Sequence, residues 1–160
     1  MRNSLHAILA LVAFSTPLAA QDTAGDAEAG ETYFGRQCVA CHAIADDAGN
    51  VIAGSLAGMG PNLHGIVGDA PGSREGYDDY SDALVAYGET GVVWEESNIV
   101  AFLQNPSGHL REELDDSSAR SKMSYRLRDE EEAHDVYAYL ATFSDLEDEE
   151  GPEDEEGNTE

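Results

Sequence analysis

The chemistry of this chain is concentrated in CVACH, Cys38 to His42, which holds its only two cysteines. Two thiols and an imidazole in five residues admit three uses: a redox dithiol, part of a metal clip, or a place to fasten a larger group. A redox C-x-x-C of the thioredoxin kind needs a βαβ setting, and no such pattern surrounds this segment. A zinc site needs further closely spaced ligands, whereas His64, His109 and His134 are scattered singly. C-x-x-C followed at once by His is the attachment signal for c-type haem, in which the thiols add to the porphyrin vinyls and the imidazole becomes an axial iron ligand. Two residues between Cys38 and Cys41 span the two vinyls, and His42 is carried beneath the iron.

Iron held by one histidine has a sixth position to fill, and the candidates are Met59, Met123 and the three other histidines. Met/His ligation raises the potential and closes the iron to substrates, which suits electron transfer. An open or labile position would suit a haem peroxidase or ligand sensor, the alternative reading. Met59 follows His42 closely, in a loop expected on the histidine's side. Met123 lies far downstream and can approach from the opposite face, so it is the expected sixth ligand. No nucleophile stands beside a base, and no enzyme activity is expected.

Three stretches have the pattern of helices that could position these residues. In GDAEAGETYFGRQ, Asp26 can cap a helix with Glu28 in its first turn, and the chain then runs straight into CVACH. In WEESNIVAFLQNP, Ile99, Phe102 and Leu103 share one helical face and Pro106 is expected to stop the helix. In RDEEEAHDVYAYLATF, Asp129 with Glu132 resembles a capping box, and Ala133, Val136, Tyr137 and Leu140 form an apolar stripe. Between them lie glycine-rich loops without strand alternation. The expected fold is all-α, with unusually long loops.

The opening MRNSLHAILALVAFSTPLAAQD has Arg2, an apolar run from Leu5 to Phe14, and Ala19 and Ala20 before Gln21. This reads as residues 1–20 forming a secretory signal peptide cleaved after Ala20. The run is well short of the roughly 20 residues that a spanning helix needs. An exported protein would meet an oxidising space, where two free thiols ought not to survive. The expected domain is 21–144, because residues 145–160, DLEDEEGPEDEEGNTE, carry ten acidic and no basic side chains. Such a segment buries too little to offset its ordering entropy and is expected to be a disordered tail.

Taken together, the chain resembles the class I cytochromes c, and within them the long cytochrome c2 type. The resemblance covers Gly25 to Phe143 and rests on CVACH, GPNLHG from Gly60 to Gly65, Trp94 before a short helix ending in NP, SKM from Ser121 to Met123, and AYL near the end. It implies one covalent haem c wrapped by helices and long loops. Pro61 would accept the Nδ1 hydrogen bond of His42, Tyr80 and Trp94 would donate to a buried propionate, and Gly30 and Phe34 would pack on Val136 and Tyr139. His64 would be structural or solvated, and His109 and His134 would be exposed. Tyr33, Tyr77, Tyr87, Tyr125 and Tyr137 would pack the core or the haem crevice. The function implied is single-electron shuttling in the periplasm from a cytochrome bc1 complex to a terminal oxidase or photosynthetic reaction centre. A dedicated donor to one periplasmic reductase or dehydrogenase is a narrower version. A monomer is expected, with no nucleic-acid partner and no stable membrane insertion.

Departures from the family pattern are informative. Asp69 stands where many members have an arginine near the propionates, leaving Arg74 as the substitute. Phe102 stands where a tyrosine often bonds the methionine sulfur. Insertions of the long c2 type follow His42, around DDAGNVIAG, and precede Met123, around GHLREELDDSSAR. The formal net charge is −25, from 33 acidic and 8 basic residues, which implies either a saline habitat that screens self-repulsion or a basic partner. Four of the basic residues, Arg120, Lys122, Arg126 and Arg128, crowd around Met123 and are expected to form a cationic rim at the haem edge.

Overall fold

The computed structural model describes residues 25–144. The predicted signal peptide, its cleavage site and the acidic tail lie outside the described residues. Within them are five helices and one hairpin: α1 (Ala27–Gln37), β1 (Ala43–Ala45), β2 (Val51–Gly54), α2 (Asp82–Glu89), α3 (Glu96–Gln104), α4 (Pro106–Glu113) and α5 (Glu130–Ala141). None of the described helices is long and apolar enough to cross a membrane.

Helix α1 begins as its sequence dictates, with the Asp26 carboxylate accepting from the N–H groups of Glu28 and Ala29 at 2.8 and 3.2 Å. Glu28 in the first turn and Arg36 in the last complement the helix dipole. It crosses α5 so closely that a Cβ on Gly30 would lie 2.0 Å from the Asp135 carbonyl oxygen. Only glycine allows that approach. Phe34 then meets Tyr139 with ring centroids 5.6 Å apart, and Asp26 N–H donates to the Asp135 carboxylate at 2.7 Å. Phe34, Ile44, Leu110, Leu127 and Val136 are almost wholly buried, each removal from water being worth about 1.5–3 kcal/mol.

The helical architecture is the one expected, with more elements than the periodicity revealed. Pro106 does not end helical structure. Asn105 terminates α3, its side chain accepts from Gly108 N–H at 3.2 Å, and Pro106 opens α4. A first-turn proline forfeits an N–H that would have had no partner in the helix. Helix α2, capped by Ser81, lies in a stretch that reads as loop from composition. The insertion after His42 forms the antiparallel hairpin β1–β2, pairing Ile44 with Ala53. Its strands are too short to show alternation, and the Asp46 carboxylate closes the turn by accepting from Asn50 N–H and Nδ2–H at 2.8 Å each. The cap of α5 is one-sided: Asp129 accepts from Glu131 and Glu132 N–H, with no return bond from the Glu132 side chain among the described residues. Tyr139 is buried against α1 as expected, and Tyr137 packs against the core while remaining only half-buried.

Candidate haem site

Helix α1 delivers CVACH to the site. Cys38 caps it, its N–H reaching the Phe34 carbonyl at 2.9 Å. The Cys38 carbonyl then accepts from Cys41 and His42 N–H at 3.0 and 2.9 Å, so one helical turn carries both thiols and the imidazole. The thiols are not joined to each other. Burial, with Cys41 beside it, pushes the Cys38 thiol up to about 11. That is the reverse of a reactive dithiol, whose attacking thiolate is stabilised.

His42 Nδ1 lies 3.0 Å from the Pro61 carbonyl oxygen. A carbonyl only accepts, so Nδ1 carries the proton and Nε2 keeps its lone pair for a metal. Burial pulls the imidazole below its ordinary value of 6.5, which favours the neutral, ligating form. The ring fits because position 60 is glycine: a Cβ there would stand 2.4 Å from His42 Cε1. Sequence reasoning took GPNLHG as a family mark and did not see this steric role.

The turn faces a cavity of about 410 Å³ whose lining includes Cys38, Cys41, His42, Pro61, Tyr80, Trp94 and Met123. All seven residues singled out from sequence thus meet at one place, in the size range of cofactor sites. Met123 is half-buried. Its loop is fixed by Met123 N–H donating to Ser121 Oγ at 3.1 Å and by Ser121 N–H donating to Ser107 Oγ of α4 at 3.0 Å. Met59 also lines the cavity, but the residue is 77% exposed and its carbonyl is held by Tyr77 Oη at 2.6 Å.

His64, His109 and His134 are not in the cavity lining. His64 is half-buried beside Phe143. Two expectations fail here. His134 is half-buried and bonded to the Glu96 carboxylate at 2.6 Å, and His109 is buried against Tyr87. Both sit on helix faces turned toward neighbouring elements, α3 for His134 and α2 for His109, which a lone polar letter does not reveal.

Arg74 answers whether the cavity suits a dianionic group such as haem. It lines the cavity, pairs with Asp69 at 3.1 Å, and donates from Nη2 to the His64 carbonyl. Its Nε is buried without a partner among the described residues. An orphaned buried donor costs about 1–3 kcal/mol, and a carboxylate in the cavity would relieve it. Burial also raises the Tyr80 hydroxyl above its ordinary 10.0, keeping it a donor, and the Trp94 indole can only donate. The residues present fit the group.

No family model matches this chain. It is 48% identical over 122 residues to cytochrome c2 of Rhodovulum adriaticum, an alignment spanning 76% of this chain and 95% of that one. The chain belongs to the cytochrome c2 family. Cytochrome c-551 of Roseobacter denitrificans is 42% identical over 145 residues, covering 90% of this chain and 97% of its own. The crystal structure of cytochrome c2 from Rhodobacter sphaeroides matches with a TM-score of 0.72 and 39% identity, over 75% of this chain and 97% of that one. As a cytochrome c2 family member the chain is an electron-transfer protein with one covalently bound haem c, and its two cysteines form a single C-x-x-C-H segment.

Proposed function

We propose that this protein is a periplasmic single-electron carrier whose haem iron is held between His42 Nε2 and the Met123 sulfur, and that it turns over no substrate. The observation that carries this reading is the convergence of Cys38, Cys41, His42 and Met123 on one cavity. When bound, haem c supplies a one-electron ferric/ferrous couple. The chain does the rest. Cys38 and Cys41 hold the ring by thioethers, and Pro61 fixes the orientation and proton of the His42 imidazole. Arg74, Tyr80 and Trp94 donate to the propionates, offsetting charge that would be costly to bury. Phe102 and Leu140 exclude water from the ring. Met59 is largely exposed although it reaches the cavity lining, and this exposure favours Met123 as the sixth ligand.

The donor is a cytochrome bc1 complex and the acceptor a terminal oxidase or photosynthetic reaction centre. The protein acts as a monomer, with neither a nucleic-acid partner nor membrane insertion. Denaturing electrophoresis with haem staining, followed by stopped-flow reduction by a bc1 complex, tests the reading. Haem retained through denaturation and reduction within the mixing experiment are expected. Haem removable by acid-acetone, or turnover of peroxide at a rate exceeding electron transfer, would contradict it.

A further inference from the structure

One buried titratable side chain has no part in that reading. His109, on α4, is 8% exposed, and its Nε2 lies 3.2 Å from the Tyr87 hydroxyl of α2. The two rings meet edge to face with centroids 5.2 Å apart. Tyr87 abuts Trp94 at 6.1 Å, Trp94 abuts Phe102 at 5.1 Å, and Phe102 returns to His109 at 6.2 Å. Four rings therefore form a closed circuit. Trp94 and Phe102 line the cavity, whereas His109 and Tyr87 are absent from its lining and stand behind them. The Trp94 backbone is pinned on both sides, its N–H to the Asp69 carbonyl and its carbonyl to Gly68 N–H, each at 2.8 Å. What remains to be set is the rotation of its side chain, against which Tyr87 packs from behind.

An apolar back row would fill that space equally well, since volume-conserving swaps in a core cost little. A hydrogen bond adds direction. It fixes how Tyr87 and His109 sit and so which face each offers to Trp94 and Phe102. Burial keeps the imidazole below its ordinary 6.5 against the opposing pull of Glu113 and Glu112, so the ring is neutral at pH 7 and can share the hydroxyl proton.

We propose that His109, through its hydrogen bond to Tyr87, is a positioning residue that holds Trp94 and Phe102 closed against the haem and thereby raises the haem potential. The inference rests on the haem reading above. Its direction follows from charge: ferric haem carries one more positive charge than ferrous, so water admitted through a loosened wall favours the ferric state and lowers the potential.

The test uses holoprotein carrying His109→Phe, Tyr87→Phe, the double substitution, and His109→Gln. Redox titration gives the potential, and near-ultraviolet circular dichroism reads Trp94, the only tryptophan in the chain. Thermal unfolding is followed alongside. Both single substitutions to Phe should lower the potential and weaken the tryptophan signal. The double variant should fall no further than the lower single, because both remove the same bond. His109→Gln, which can still bond the hydroxyl, should recover at least half the shift. A lowered melting temperature with an unmoved potential would overturn the proposal and leave the pair as core filling. Fully additive shifts would also overturn it. A wild-type protein without covalently retained haem would overturn the underlying reading as well, so the two failures are distinguishable.

Discussion

At the scale of single residues, what was legible was chemistry fixed by spacing within a few positions. CVACH declares its use because the thiols and imidazole must fall on one turn, and the Pro61 carbonyl sits 3.0 Å from His42 Nδ1 as the family pattern implies. Arg74 was only partly legible, since its value depends on how the 69–80 loop folds back. Its buried Nε yields a prediction. Arg74→Gln removes a positive charge from the cavity lining and leaves Asp69 without its partner, so redox titration should show a lower potential and denaturant unfolding a loss of about 1–3 kcal/mol. His109 was misread because its burial depends on α4, which was itself unforeseen. Its folded-state pKa lies below the ordinary 6.5, so the folded protein binds this proton less tightly than the unfolded chain. The stabilising contribution is therefore complete above about pH 6.5 and is lost as the pH falls from there through the lower folded-state value. Chemical denaturation across pH 5 to 8 should show that part of the slope missing in His109→Phe.

Among the elements, α1, α3 and α5 announced themselves through caps and apolar periodicity; α1 leads into CVACH, and α5 packs against both α1 and α3. Helices α2 and α4, of eight residues each, span too few turns to show a periodic stripe. The hairpin of three- and four-residue strands is shorter still, and the segment around Asn62 pairs with it from outside. The tightest joint is between α1 and α5. Gly30→Ala would drive a methyl to 2.0 Å from a backbone oxygen that cannot step aside, so thermal and denaturant unfolding should register a loss of about 3 kcal/mol. Haem should remain attached in whatever fraction folds, because CVACH is untouched.

Over the whole molecule, charge dominates. The cationic cluster around Met123 is less free than its sequence implies: Lys122 is paired with Asp79, and Arg120 donates to the carbonyls of Ser117 and Ala119. Arg126 and Arg128 are exposed and have no salt bridge among the described residues. If the rim steers encounters with an acidic partner, Arg126→Glu with Arg128→Glu should slow association severalfold at low ionic strength, and more than Lys122→Glu does. Stopped-flow transfer to an oxidase across a salt series measures this, and the difference should vanish as the Debye length shrinks to about 3 Å at 1 M.

The proposed electron-carrier function requires Met123 as the second axial ligand. The decisive measurement is the ferric absorption spectrum and redox titration of holoprotein with Met123→Ala and, separately, Met59→Ala. Met123→Ala should abolish the weak sulfur-to-iron charge-transfer band at the red end of the spectrum and lower the potential, while Met59→Ala leaves both as in the unsubstituted protein. Loss of the band in Met59→Ala with its retention in Met123→Ala would contradict the assignment.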